Sequence, residues 1–280
     1  MEKEDATSGA AAVEETSLLD QIMEQTNLQK DDDAYKVASH GMQAFITEML
    51  KKDSPERARK QMVDEMIAEI DQQMSVQLDE ILHDENFQKM ESAWRGLKFV
   101  VDRTDFRENN RIEILNVSKD DLLDDFEDAA DITESGLYKQ VYTEEFGNFG
   151  GEPFSNIIAN YEFDHTTPNV NLMKSCASVA AMSHAPFITA ASPKFFGIDD
   201  IEKLPKLNDI STIFEGPQYA KWRSFRESED ARYLALTMPK FLLRLPYDSI
   251  ENPVKAFNYN ESIEEDHNRY CWGNTAFAMA

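Results

Sequence analysis

Residues 156 to 191 carry the pattern that most restricts the fold. NIIANYEF (156 to 163) alternates like a strand, Pro168 to His184 runs with helical periodicity, and PFITAA (186 to 191) is strand-like again. Strand, helix and strand in succession read as α/β structure, in which helices cover a sheet. The same alternation starts upstream, where RIEILNV (111 to 117) predicts a strand and SKDD (118 to 121) a capping box that opens a helix through Phe126. Leu137 to Phe146 predicts another helix, ending at a Gly147 cap in FGNFGGEP. Downstream, ARYLALTMPKFLLRLPY (231 to 247) is apolar but broken by Pro239 and Pro246, which suits edge strands or a strand and a loop better than one helix.

Before residue 105 the texture is helical. Tyr35, Ala38, Met42, Phe45, Ile46 and Met49 fall within an arc of roughly 100° on a helical wheel, the stripe of a helix docked on a core. Ser54 and Pro55 supply an N-cap and a first-turn proline for a long helix whose face is Val63, Ile67, Ile70, Met74, Leu78 and Ile81. Phe87, Met90, Trp94, Leu97 and Val101 mark the stripe of a third helix. The expected organisation is a mobile acidic tail over 1–30 with a short partner-binding helix at 17–28, a helical region over 31–105, and an α/β (α+β) domain over 106–280. The fold class is therefore α/β, a helical N-terminal region followed by a helix-covered mixed β-sheet.

Charge narrows the functions. The 280 residues hold 53 Asp plus Glu against 28 Lys plus Arg, a net charge of -25. Such a surface repels a phosphate backbone, so nucleic acid is not an expected partner. The most apolar stretch, CASVAAMSHAPFITAA, is interrupted by Ser183, His184 and Pro186, so neither a membrane span nor a signal peptide is expected. Two cysteines, Cys176 and Cys271, make no disulfide framework and fit a reducing, cytoplasmic compartment.

Catalytic signatures are weak. Neither GxxxxGK[ST] nor GxGxxG occurs, so no phosphate loop is present. E-x-x-H occurs twice, as Glu80 to His83 and Glu264 to His267, and two such copies are what a carboxylate-bridged di-metal bundle uses. On the long helix, however, His83 points roughly 170° and Glu80 roughly 110° from the apolar face, toward water. The second copy lies in a polar, loop-like run. Cys176 and His184 are about 12 Å apart along one helix axis and cannot touch, so Cys176 reads as a small core residue beside Ala177, Val179 and Ala180. His165 beside Asp164 reads as turn chemistry at a strand end. No catalytic residue, metal or cofactor is expected.

The tail holds one regular pattern, SLLDQIMEQTNL (17 to 28). Ser17 is an N-cap, Asp20 complements the helix dipole, and Leu18, Leu19, Ile22, Met23 and Thr26 cover one side. A helix this short is unstable alone, and the gain from burying its apolar side chains is close to the cost of ordering its backbone. That balance suits reversible recognition in a partner's groove.

With that helix, VASHGMQAFITEML, ESAWRGLKFVVDRTDF, FRESEDARYLALTMPKFLLRLPYD and YCWGNTAFAMA, the chain resembles the large subunit of the contractile sheath of bacterial type VI secretion systems, the TssC or VipB type, nearly end to end. The resemblance implies a structural protein. It would pair with a small sheath subunit of the TssB/VipA type and stack as rings around an inner tube of the Hcp type, which contraction drives outward. It also implies that SLLDQIMEQTNL is gripped by a ClpV-type AAA+ unfoldase during recycling, with Leu18, Leu19, Ile22, Met23 and Thr26 as the contact residues. Family members continue past Ala280, so the chain reads as an N-terminal half, with exposed apolar surface and self-association expected around WGNTAFAMA. Two other function classes stand beside this one: a metal-dependent enzyme using Glu80, His83, Glu264 and His267, and a free-standing adaptor that recruits a different partner through its tail helix.

Overall fold

The computed structural model describes residues 35–36, 38–44, 56–263 and 266–279. The chain divides into two compact units between Met74 and Ser75. In the first, residues 38–44 are helical and a long helix α1, Glu56–Leu82, begins. Ser54, Pro55, Phe45, Ile46 and Met49 lie outside the described residues. The second unit holds α2 (Glu85–Arg103), α3 (Lys119–Asp128), α4 (Thr167–Ser183) and the strands β1 (Ile157–Phe163), β2 (Phe187–Ala191), β3 (Leu234–Thr237), β4 (Phe241–Leu242) and β5 (Trp272–Gly273).

The core is the strand, helix, strand segment that the alternation predicts. β1, β2 and β3 form a parallel sheet in that order, with Ile157 opposite Phe187 and Phe187 opposite Leu234. A parallel pair needs a long crossover, which α4 supplies between β1 and β2. Because a parallel sheet is covered by its helices, α4 is itself buried: Val170, Leu172, Met173, Cys176, Ala177, Val179 and Ala180 are all almost fully enclosed. Pro168 stands in its first turn and His184 closes it in the left-handed conformation. The β1 to β2 register is irregular between Ile158 and Glu162. There the Tyr161 carbonyl accepts instead from Thr189 Oγ1 at 2.9 Å and Asn274 Nδ2 at 3.1 Å, so a buried acceptor is satisfied by side chains.

Pro239 ends β3, and the chain then enters a second, antiparallel pair in which Phe241 faces Gly273 and Leu242 faces Trp272. The two-part reading of ARYLALTMPKFLLRLPY holds. The capping box also forms: Ser118 accepts from the Asp121 amide while the Asp121 carboxylate accepts from the Ser118 amide.

Three expectations are corrected and one, the helix over Leu137 to Phe146, is borne out with a different coil. RIEILNV forms no strand; it is irregular chain with no ladder partner among the described residues, and Ile114 and Leu115 are exposed. Alternation records what a segment can pair with, not whether a partner strand is beside it. Leu137 to Phe146 is one α-turn, Gly136–Tyr138, that continues as a π-helix, Lys139–Phe146, closed by the Gly147 amide on the Tyr142 carbonyl. Its aromatic residues recur every fourth position, and Tyr138 stacks on Tyr142 with ring centroids 4.8 Å apart, a spacing that wider coils align better than an α-helix does.

The stripes on the long helices are covered only in part: Val63, Leu78, Phe87 and Leu97 are half-buried. Ile67, Ile70, Met74 and Ile81 of α1 and Met90, Trp94 and Val101 of α2 are exposed. Helical periodicity identifies an apolar face without saying what will cover it. Lastly, WGNTAFAMA folds inward: β5 pairs with β4, Ala276 is fully buried, and only its end, Met279, is a large exposed apolar side chain.

Gly96 is the close-approach point between α2 and that C-terminal run. A Cβ there would meet the Phe277 ring at 2.5 Å. Gly96→Ala gains roughly 1 kcal/mol of helix propensity but must displace an aromatic ring, at a cost of about 1–3 kcal/mol. Urea unfolding should show a net loss of stability, and Gly96→Val a larger one.

Candidate interaction surface

The predicted recognition residues Leu18, Leu19, Ile22, Met23 and Thr26 lie outside the described residues, so the structure neither docks nor frees them. What it does resolve is α2, a helix with two worked faces.

The inner face is polar at its centre. Arg244, one residue beyond the apolar run that holds β4, reaches back and donates to Glu91 Oε1 through Nε at 2.7 Å and to Glu261 Oε2 through Nη1 at 2.6 Å. The three side chains are 7%, 10% and 1% exposed. Arg95, one turn along α2, donates to the same Glu91 oxygen at 2.7 Å and to the Tyr247 hydroxyl at 3.0 Å. The Arg244 guanidinium lies over the Tyr247 ring, 4.5 Å from its centroid. Two carboxylates and two guanidiniums thus balance in charge and share fork-like hydrogen bonds, the condition under which buried ions are tolerated.

The neck of a loop is closed by the same group. The Tyr247 amide donates to Glu261 Oε2 at 2.9 Å, and the Glu261 amide to the Tyr247 carbonyl at 2.8 Å. Inside the loop, Asp248 Oδ1 accepts from the amides of Ile250, Glu251 and Asn252. Asp79, near the end of α1, accepts from the Tyr259 hydroxyl at 2.5 Å and from the Ser262 amide. Residues distant in the chain are thereby fastened to α2 and to the end of α1.

The electrostatics follow the geometry. Burial alone would raise the Glu91 carboxyl, but hydrogen bonds and charge from Arg244 and Arg95 outweigh it and hold the group below its ordinary 4.5. Burial pushes the Cys271 thiol up to about 11, with Glu91 adding to the effect. Cys176, fully enclosed in α4, is pushed higher still by burial, so neither thiol is activated as a nucleophile.

The E-x-x-H residues are dispersed. His83 was expected to face water; instead its side chain is 12% exposed, with Nε2 3.3 Å from Glu261 Oε1. The reason is that α1 ends at Leu82, so His83 sits in the turn, where helical phase no longer applies. Glu80 is exposed, His267 Nε2 lies 3.4 Å from Glu202, and Glu264 is outside the described residues. Among the described residues no three His, Cys, Asp or Glu are grouped to hold a metal ion. His165 hydrogen-bonds the Lys194 carbonyl and Asp164 accepts from the Thr166 amide, which is the turn chemistry expected of them.

The outer face of α2 is apolar. Trp94, 67% exposed, is flanked by Met90 at 50% and Val101 at 40%, at helical spacing. The helix itself is well built, with Asp84 accepting from the Asn86 and Phe87 amides at one end and the Thr104 amide closing on Val101 at the other. A rigid helix that turns a tryptophan outward has the character of a contact surface between chains. Among the described residues no helix is long and apolar enough to cross a membrane.

Sequence reading missed the Arg244, Glu91 and Glu261 group. The available signal was Arg244 itself, one cation inside the apolar run FLLRLPY, since a charge that is taken from water requires a partner.

Arg244→Ala leaves two carboxylates without their shared partner, and chemical denaturation should show a loss of about 3–5 kcal/mol. The pH dependence has a definite sign. Because the folded chain holds Glu91 below its unfolded value, its contribution is complete above that value and is lost as pH falls through the folded one. Stability should therefore drop below about pH 4.5, and Glu91→Gln should flatten that part of the curve while lowering stability at neutral pH.

Two comparisons with known proteins agree with these features. The family described as EvpB/VC_A0108, tail sheath N-terminal domain (VipB), matches residues 64–280. A Pseudomonas aeruginosa protein named type VI secretion system sheath protein TssC1 is 42% identical over 221 residues, which cover 78% of this chain and 44% of that protein. The chain thus spans less than half the length of that relative. A match over most of the chain, including α2, the parallel sheet and the Arg244 clamp, places it in a family: the chain belongs to the VipB tail sheath proteins and corresponds to their N-terminal domain.

Proposed function

We propose that this chain serves as the N-terminal part of a large subunit of a type VI secretion contractile sheath. The observation that carries the reading is the family match over residues 64–280, joined by the 42% identity to a sheath protein. On this reading the role is structural and the setting is the bacterial cytoplasm. The chain pairs with a small sheath subunit of the TssB/VipA type, stacks as rings around an inner tube of the Hcp type, and takes no cofactor.

The outward stripe of α2 supports an assembling protein, since Met90, Trp94 and Val101 are covered only by another chain or another part of the same one. Motive energy on this reading resides in contacts between subunits, and an external ATPase resets them. The tail over 1–30 provides the handle. Its helix at 17–28 is gripped by a ClpV-type unfoldase through Leu18, Leu19, Ile22, Met23 and Thr26, ahead of the helical region over 31–105 and the α/β domain over 106–280. The amphipathic spacing of those five residues supports this assignment.

A labelled peptide spanning residues 12 to 30, titrated with the N-terminal domain of a ClpV-type unfoldase, tests the handle. Weak saturable binding is expected, with at least a tenfold loss on Leu19→Asp with Ile22→Asp, since each buries about 1.5–3 kcal/mol of side chain. Undiminished binding by the double variant would sink the assignment of those residues.

A further inference from the structure

We propose that Phe149 is a docking knob for the small sheath subunit, seating its ring in an apolar pocket rimmed by Lys or Arg. The inference rests on the sheath reading above. Phe149 is 106% exposed, so its ring adds nothing to the folding of this unit. A large aromatic side chain presented in this way marks a contact between chains.

The ring is held out on a rigid mount. The Gly151 amide donates to the Asn148 carbonyl at 3.1 Å and Gly150 has φ 88°, the marks of a type II β-turn with Phe149 at its corner. The Glu152 amide donates to Glu145 Oε2 at 2.8 Å, and a Cβ on Gly151 would overlap the Glu145 carbonyl, so the turn is folded tightly onto the end of the π-helix. Phe146, the last residue of that helix, is itself buttressed, its ring centroid 5.3 Å from Tyr142 and 5.8 Å from His184 at the end of α4. A knob whose backbone is already fixed loses little freedom on binding.

Charge selects the occupant. Beside the turn, Arg111 meets Glu152 at 2.5 Å and Glu113 at 2.6 Å, and Glu145 is near enough to act on the same cation. Three carboxylates therefore surround one guanidinium, and exposed Glu144 adds a fourth negative charge nearby. No Lys or Arg occurs between Lys139 and Lys174. A pocket that accepts this ring enters a negative field, which favours cations on its rim, and such cations can also lie over the ring face. A second copy of a chain with net charge -25 offers the wrong sign. On the sheath reading the small subunit, with which the chain pairs, is the occupant.

The test titrates the whole chain with the purified small sheath subunit of the same bacterium. Phe149→Ser should melt with the parent, because the ring supports nothing within the chain, yet bind at least about tenfold more weakly. Phe149→Leu should keep most of the affinity, and added salt should weaken binding by the parent. In the assembled state, photoreactive p-benzoylphenylalanine in place of Phe149 should cross-link to the small subunit. Binding by Phe149→Ser equal to that of the parent, or a cross-link only to a second copy or to the inner-tube protein, overturns the inference and leaves the sheath reading intact. Binding indifferent to salt overturns the basic rim. No binding by the parent chain removes the pairing itself from the sheath reading, and the inference with it.

Discussion

Everything C-terminal of the parallel sheet depends on one cation. Arg244 leaves the second strand pair, passes beneath α2 and unites Glu91, Glu261 and, through its ring contact, Tyr247. Glu91 and Glu261 come from stretches far apart in the chain. Buried ion pairs are poor sources of net stability compared with hydrocarbon, but they discriminate strongly among arrangements, because a misplaced carboxylate has no alternative partner inside. The clamp therefore fixes where the last third of the unit sits more than how tightly it is held.

That fixing explains how α2 can carry an apolar stripe on its outer side. A surface helix ordinarily keeps its place by pressing its apolar face on the core. Here the helix is kept by Gly96 against Phe277, by Ser92 donating to the Trp272 carbonyl at 2.6 Å, and by the Arg244 group. The apolar face is left available. Polar and close-packed contacts position the element, and hydrophobic surface is reserved for whatever comes next along the outside.

The same inversion marks the limit of what the sequence revealed. The strand, helix and strand over 156 to 191 was legible because burial on every side leaves a dense apolar signature that only one arrangement satisfies. The cap at Ser118 was legible because local hydrogen bonding decides it. The direction of the α2 stripe was not, since an apolar face for a partner and one for a core have identical spacing. The clamp was hidden for a related reason: Glu91 and Arg95 at i and i+4 look like a solvated helix pair until Arg244, some 150 residues away, is brought beside them. RIEILNV was misread because a strand is a property of two segments and only one is in the sequence window.

The neck formed by Tyr247 and Glu261 has a consequence for how this region can change. Its two hydrogen bonds and the ion pair to Arg244 join the ends of the loop independently of what lies between. Closing a loop costs only slowly more as it lengthens, about 0.6 kcal/mol for each doubling. The exposed tip around Ile250, 87% exposed, is thus where length and composition can drift, whereas Tyr259, buried and bonded to Asp79, is fixed. Evolution, or a designer inserting a tag, can alter the outside of this unit there without touching the clamp.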